Sequence, residues 1–400
     1  MRLGIILIIV IAALNVAVDI YIWRRLTAFC HRRWPGVVYA WSSLLLLVYM
    51  ITVVCLPRNS GSDGMLVAIM WMLYAYVTVY LPKYVYCIFS FFDYLPRLWR
   101  RRKCYAGSVA GIAAAVFVFA VMWWAALANR TDYHVNYMEL EFDNLPAGFD
   151  DYVIVQFSDF HVGTYGNDTT FVSRIVDEIN SRNADIVLFT GDIVNRRSDE
   201  LVPFVPVLSR IDARHGVYSV LGNHDYGDYS SWKDEAAKAG NMKLMRSLQR
   251  QMGWKELDNT TAWLRNEADS IALIGVENWG DPPFTVYGDL QKAYPQLSDS
   301  VFKVLMSHNP AHWDSKIADN DTVNIDLTLS GHTHAMQMQI GGWSPAAWRY
   351  SKWGGLYSDK SDRHKLYVNI GVGTVALPAR IGATPEITVL KLKKKAPNTK

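Results

Sequence analysis

Five short segments of this 400-residue chain place Asp, Asn or His directly after an apolar run. Ser158-Asp159-Phe160-His161 follows Tyr152–Phe157, and Thr190-Gly191-Asp192-Ile193-Val194-Asn195 follows Ile186–Phe189. Gly222-Asn223-His224-Asp225 follows Val217–Leu221, Ser307-His308-Asn309-Pro310 follows Val301–Met306, and Ser330-Gly331-His332-Thr333-His334 follows Ile325–Leu329. Carboxylate, amide and imidazole groups are the ligands that borderline divalent metals take. Five of the ten histidines fall in these segments. Each pattern has an ordinary use when taken singly: Gly-Asp often only makes a turn, because Gly supplies positive φ and Asp bonds nearby backbone. Five in order, each directly after an apolar run, point instead to one metal centre. All four cysteines (Cys30, Cys55, Cys87, Cys104) lie earlier in the chain, which removes a thiolate zinc site or a cysteine nucleophile from this part.

The elements that must carry these residues are short. The five runs above, with Ile271–Val276, Leu366–Ile370 and Ile387–Leu392, have strand length. Between the first two, Phe171, Val172, Ile175, Val176 and Ile179 repeat at helical spacing. Strands alternating with helices predict a layered α/β domain over residues 151–395. In such domains the loops after adjacent strands converge at one edge, so ligands far apart in sequence can meet. Residues 131–150 read as a polar connector containing one short strand, Tyr137–Phe142.

Residues 1–130 are of another kind. They carry 13 Lys/Arg and 3 Asp/Glu, whereas the remainder carries 27 and 34. The net charge of +3 therefore averages two unlike halves and gives no reason to expect a nucleic-acid partner. Leu3–Trp23, Val37–Leu56, Met65–Leu81 (continuing past Pro82 to Phe92) and Tyr105–Leu127 are apolar runs near the ~20 residues that cross a bilayer as a helix. An all-α bundle of four transmembrane helices is expected. Arg24, Arg25, Arg32 and Arg33 lie in the first loop and Arg97, Arg100, Arg101, Arg102 and Lys103 in the third, against Arg58 alone in the second. Basic loops stay in the cytoplasm, which puts both termini and the 151–395 domain outside, in an integral protein of a bacterial inner membrane. Asn15 and Asp19 share a face of the first helix, and Asp19 is expected to reach water or Arg24.

The ordered segments resemble the calcineurin-like metallophosphoesterases, in particular their membrane-associated bacterial branch. The resemblance runs from Tyr152 to Leu392 and includes Tyr367-Val368-Asn369-Ile370-Gly371-Val372-Gly373, Leu377-Pro378-Ala379-Arg380 and Pro385-Glu386-Ile387-Thr388. It implies a four-layer αββα sandwich of two sheets flanked by helices. It also implies two divalent cations, of manganese, iron or zinc, and hydrolysis of a phosphomonoester, phosphodiester or pyrophosphate. Carried over by residue, Asp159, His161 and His334 would bind the first metal and Asn223, His308 and His332 the second, with Asp192 bridging. His224 would be the unliganded catalytic histidine, Asp225 would orient it, and Asn195 would be a supporting hydrogen-bonder. The family usually has Asp at the position of Asn195, and Gly-Gly-Gln where this chain has Ala335-Met336-Gln337. The first change leaves metal binding intact, and the second narrows the pocket.

The chemistry explains the residue types. Two cations ~3.5–4 Å apart acidify a shared water and clamp the phosphoryl oxygens for in-line attack. One carboxylate can set that spacing, and neutral imidazole and amide ligands keep the positive charge from being cancelled. Downstream, Trp343, Trp348, Arg349 and Trp353 form an aromatic and basic stretch that fits ordinary packing around the pocket rim, or else a bilayer interface and hence a lipid-linked phosphate or pyrophosphate. The competing readings are a non-catalytic membrane scaffold or sensor that keeps the fold, and a transporter with an appended domain. The first would leave the ligand set eroded, yet every position is filled. The second would need polar residues across several spans, and only Asn15, Asp19 and Lys83 offer any.

Overall fold

The computed structural model describes residues 2–56, 62–99, 104–280 and 285–396. It divides into two compact units, one of residues 1–61 with 68–126 and the other of residues 62–67 with 127–400.

The first unit contains α1 (Arg2–Cys30), α2 (Trp34–Cys55), α3 (Asp63–Phe91) and α4 (Ala106–Leu127), although the first residues of α3 group with the second unit. Pro35 stands in the first turn of α2, where its missing N–H costs nothing. Helix α3 runs through Pro82, as the sequence predicts. Among the described residues three helices are long and apolar enough to cross a membrane, Trp34–Cys55, Asp63–Pro96 and Ala106–Thr131. The fourth expected span, α1, is helical over 29 residues but is not in that set. Asp19 pairs with residues of the bundle and not with Arg24. Its carboxylate accepts from Tyr39 Oη at 2.7 Å, Tyr80 Oη at 2.8 Å and Lys83 Nζ at 2.8 Å, because a charge inside an apolar bundle is tolerable only when paired. Of the loop charges that orient the helices, Arg58 and residues 100–103 lie outside the described residues.

The second unit holds two six-stranded mixed sheets. Its strands are β1 (His134–Phe142), β2 (Val153–Phe157), β3 (Ile186–Phe189), β4 (Val217–Ser219), β5 (Lys255–Glu256), β6 (Thr260–Asn266), β7 (Asp269–Gly275), β8 (Lys303–Met306), β9 (Leu327–Ser330), β10 (Gly355–Ser358), β11 (Lys365–Val368) and β12 (Glu386–Lys394). One sheet has the order β1-β12-β2-β3-β4-β5 and the other β10-β11-β9-β8-β7-β6. The helices are α5 (Thr170–Ser181), α6 (Val205–Leu208), α7 (Glu235–Gln251), α8 (Leu290–Ala293) and α9 (Ala311–Lys316).

Alternation along the strands builds the layers. Ile154, Ile186, Leu188 and Val220 pack against Leu273, Val304, Met306 and Leu329 of the facing sheet. Val155, Phe157, Val187 and Phe189 point the other way, onto Val172, Ile175 and Ile179 of α5 and Met245 and Leu248 of α7. On the far side Ala272, Ile274, Leu305 and Val368 meet Trp313 and the short helices. Strands buried on both faces read as unbroken apolar runs, which is why β2, β3, β8 and β9 stand out in the sequence. Residues 131–150 are more than a connector. All nine residues of β1 pair in parallel with β12, from His134 opposite Glu386 to Phe142 opposite Lys394, so this segment is an edge of the sandwich.

Candidate metal centre

Each of the five segments leaves the C-terminal end of a strand: β2, β3 and β4 in one sheet, β8 and β9 in the other. Cross-bonds between their loops hold them together. Asp159 N donates to Gly191 O at 2.9 Å and His332 N to Asp159 Oδ2 at 3.0 Å. Gln156 Nε2 links the two sheets by donating to Ser330 O at 2.9 Å. The approach is too close for side chains at two positions. A Cβ on Gly222 would lie 2.2 Å from Asp192 Oδ1, and one on Gly331 would lie 1.9 Å from Ser158 Oγ.

The ligands meet as two triads. Asp159, His161 and His334 form one and Asp192, His308 and His332 the other, with the donor atoms of each lying within 4.8 Å of one another. In the first, His161 Nε2 is 3.0 Å from His334 Nε2, which is 3.2 Å from Asp159 Oδ1. In the second, His308 Nε2 is 3.2 Å from both Asp192 Oδ2 and His332 Nδ1. Asn223 Oδ1 is also 3.2 Å from His308 Nε2, which adds an amide oxygen to this group. Asp192 Oδ2 lies 3.7 Å from His161 Nε2 as well, so one carboxylate touches both triads. Five of these residues have left-handed backbone: Asp159 (φ 54°), His161 (φ 48°), Asp192 (φ 61°), His332 (φ 76°) and His334 (φ 50°). Such strain costs about 1–3 kcal/mol per residue and survives where surrounding structure enforces it, typically at functional sites.

Outer contacts aim the ligands. His161 Nδ1 donates to Val194 O at 3.1 Å and His308 Nδ1 to Thr190 O at 2.8 Å, which frees the Nε2 lone pairs to point inward. Asn223 Nδ2 donates to Tyr229 Oη at 2.9 Å, turning its oxygen toward His308. Tyr350 Oη lies 3.1 Å from His332 Nε2. The buried Arg380 guanidinium donates to the carbonyls of Ile370, Gly373 and Ala383 and lies against His334. Tyr229 gave no signal in the sequence, since an isolated tyrosine in a polar loop has no pattern, whereas Tyr350 stood in the aromatic and basic stretch but without a role at the ligands. Arg380 stood within a family-like segment but without a role.

Electrostatics fits a cation site. Burial, aided by the nearby His308, pushes His332 down to about 3 and burial holds His161 well below the usual imidazole range, so both are neutral and able to donate a lone pair. Burial alone would also lower His308, but the adjacent Asp192 carboxylate pushes it up to about 9. Burial would raise Asp159 and Asp192, yet the surrounding imidazoles hold both below the ordinary carboxylate value. The lone pairs and carboxylate oxygens thus converge on the same small volume, where positive charge is what balances them. The donor set fits two divalent cations.

His224 stands beside the triads. Its Nδ1 donates to Asn195 O at 2.6 Å, and its ring stacks on Tyr229 with centroids 4.3 Å apart. Asp225 does not orient it. The Asp225 carboxylate accepts from the backbone N–H groups of Asp192, Ile193, Val194 and Gly222, at 2.9, 2.9, 3.2 and 2.9 Å. It therefore clamps the loop that carries Asp192, a better use of a buried acid with four amides in reach. Asn195 acts through its backbone carbonyl on His224 and through its side chain on Thr164. Ala335 and Met336, at φ 50° and 46°, keep the left-handed turn expected of Gly-Gly. Met336 is 46% exposed, two residues after His334. Trp343, Trp348 and Arg349 are exposed. Trp353 is not: it packs against Ala335, Ile370 and Ala383 beneath the centre.

A two-sheet sandwich with two metal triads at its strand ends defines a class of metal-dependent phosphoesterases. Residues 1–130 match the family described as "Probable Calcineurin-like phosphoesterase, transmembrane domain", and residues 152–336 match "Calcineurin-like phosphoesterase". An uncharacterized metallophosphoesterase of Bacillus subtilis, YkuE, is 30% identical over 62% of this chain and 82% of its own. A transmembrane protein with metallophosphoesterase domain from Bos taurus is 31% identical over 70% of this chain and 62% of its own. A dimetal phosphatase structure from Danio rerio aligns at 14% identity with a TM-score of 0.32, over 56% of this chain and 88% of that one. The chain belongs to the calcineurin-like metallophosphoesterase family.

Proposed function

We propose that this protein is a membrane-anchored hydrolase of phosphomonoesters, phosphodiesters or pyrophosphates, with a binuclear metal centre. The observation that carries the reading is Asp192, whose single carboxylate oxygen lies within reach of both triads. Asp159, His161 and His334 would hold one cation and Asn223, His308 and His332 the other, with Asp192 within reach of both sets. When bound, the cations neutralise phosphoryl charge and acidify the attacking water. The protein's own residues do the rest. Carbonyls behind His161 and His308 fix the imidazoles, and the Asp225 clamp keeps Asp192 in place. Asn195 O holds the Nδ1–H of His224, so Nε2 is the atom that, once protonated to the imidazolium, gives its proton to the leaving oxygen.

Four helices anchor the domain, and the basic first and third loops support an extracytoplasmic catalytic unit in a bacterial inner membrane. The complete donor set speaks against a scaffold that merely keeps the fold. The test is metal analysis of the purified full chain together with a hydrolysis screen of soluble monoesters, diesters and pyrophosphates supplied with manganese, iron or zinc. About two metal equivalents and metal-dependent turnover are expected. A metal-free protein inert toward the whole panel under every metal would overturn the reading.

A further inference from the structure

The loops bordering the centre expose a set of large apolar side chains. Met336 is 46% exposed, Ile340 60%, Trp343 44%, Trp348 81% and Leu377 43%. They belong to one surface. Ile340 and Trp343 exchange backbone hydrogen bonds at 2.8 and 3.0 Å, the Trp343 and Trp348 rings are 5.3 Å apart, and Gln337 Nε2 donates to Leu377 O at 3.0 Å. The surface adjoins the ligands: Met336 follows His334 by two residues, and Tyr350, two residues beyond Trp348, touches His332. Soluble monomers rarely expose so many large apolar groups together without a partner for them.

The same loops hold the chain where it leaves α4. Asn129, two residues past Leu127, donates from Nδ2 to Arg380 O at 2.7 Å and accepts from Thr384 Oγ1 at 3.3 Å. Ile381, in that stretch, accepts from Gln339 N at 2.8 Å. On another side of the centre Asp63, the first residue of α3, pairs with Arg196 at 2.8 Å and Arg197 at 3.0 Å, the two residues after Asn195. Two residues of chain reach at most ~7 Å. The first residue of α3 and the residues just past α4 are therefore tied to loops that border the metal centre.

We propose that the rim of Met336, Ile340, Trp343, Trp348 and Leu377 rests in the headgroup layer of the bilayer and admits phosphoesters carried by lipids. Tryptophan prefers that layer, and the exposed Arg349 beside Trp348 suits anionic headgroups. This rests on the hydrolase reading for its substrate half but not for its surface half, so two measurements separate them. In the first, the full chain carries Ser at its four cysteines and a spin label at Trp343→Cys or Trp348→Cys, in nanodiscs of phosphatidylcholine and phosphatidylglycerol. The label should collide more with oxygen than with a water-soluble nickel chelate. A label as open to nickel as one at Lys360→Cys, where the side chain is 88% exposed, would overturn the proposal. In the second, W343S/W348S should lower cleavage of phosphatidic acid in phosphatidylcholine vesicles about tenfold and leave a soluble chromogenic ester within about twofold. An equal change on both substrates would also overturn it. If neither substrate is cleaved, the wider panel decides the hydrolase reading, while the label's depth still decides where the rim sits.

Discussion

Two of the molecule's carboxylate clusters are treated in opposite ways. In the helical unit Asp19 is surrounded by donors, the Tyr39 and Tyr80 hydroxyls and the Lys83 ammonium, so its charge and lone pairs are answered from within. Asn15 is likewise answered, by Tyr76 and Tyr84. In the metal centre Asp159 and Asp192 face imidazoles, and the Nδ1–H groups of His161 and His308 are tied to carbonyls behind. There the Asp192 carboxylate draws a proton onto His308, pushed up to about 9, as the positive charge that answers it. A buried carboxylate alone therefore marks nothing; the balance of donors around it does. The Asp19 cluster is answered by its own donors, whereas the strand-end cluster has the donor set that cations would complete.

The strongest way to break this contrast is Asp192→Ala. It removes the one group common to both triads, so metal content and turnover should vanish together, as read by elemental analysis and hydrolysis of a soluble ester. Retention of both metals would mean that the triads are independent sites. His224→Ala comes next. This ring is bound by Asn195 O and Tyr229 and belongs to neither triad. The metals should stay while kcat falls by about 10²–10⁴. Loss of the metals with the ring would put His224 among the ligands.

Lys83→Met probes the closed cluster. Breaking one partner of a buried pair leaves Asp19 without its cation, at a cost of about 2–4 kcal/mol, less than the full range in soluble cores because membrane polar contacts are worth less. Adding Asp19→Leu should restore most of the loss, because the double variant removes the charge along with its partner. Denaturant unfolding of the full chain in detergent micelles measures both. No comparable rescue should exist in the metal centre, where Asp192→Leu with His308→Leu would leave the other triad without its shared ligand.

The sequence revealed the open cluster far better than the closed one, for a physical reason. Metal ligands of this fold sit immediately after apolar strands, so β2, β3, β8 and β9 announced both themselves and Asp159, Asp192, His308 and His332. The pairing of β1 with β12 spans about 250 residues and left only a short apolar stretch to find, so the segment read as a connector. Strands β5, β6 and β10 were missed because they are short or lie at sheet edges, where one face is exposed and no apolar run develops. Asp225 was misassigned because adjacency to His224 suggests contact, whereas the turn sends its carboxylate back to the Asp192 loop. Asp19 could not be paired from sequence, since Lys83 and Tyr80 come from a helix more than sixty residues away.

The mildest prediction tests whether the open cluster is tuned from outside its ligands. Tyr229→Phe keeps the ring that stacks on His224 but removes the hydroxyl that accepts from Asn223 Nδ2. Freed of that bond, the Asn223 amide can rotate and present nitrogen, a donor, where His308 Nε2 now meets oxygen. Groups of this outer kind typically change metal affinity by 10–100-fold, and the lower end is expected here because His308, His332 and Asp192 remain. Metal titration of the full chain should therefore show one of two sites weakened about tenfold, with kcat recovered at saturating metal. Tyr229→Leu should do the same to affinity and also lower kcat, since it removes the stack that steadies His224. Equal metal affinity in wild type and Tyr229→Phe would mean that Asn223 is held by its own loop, and that the hydroxyl contact is incidental.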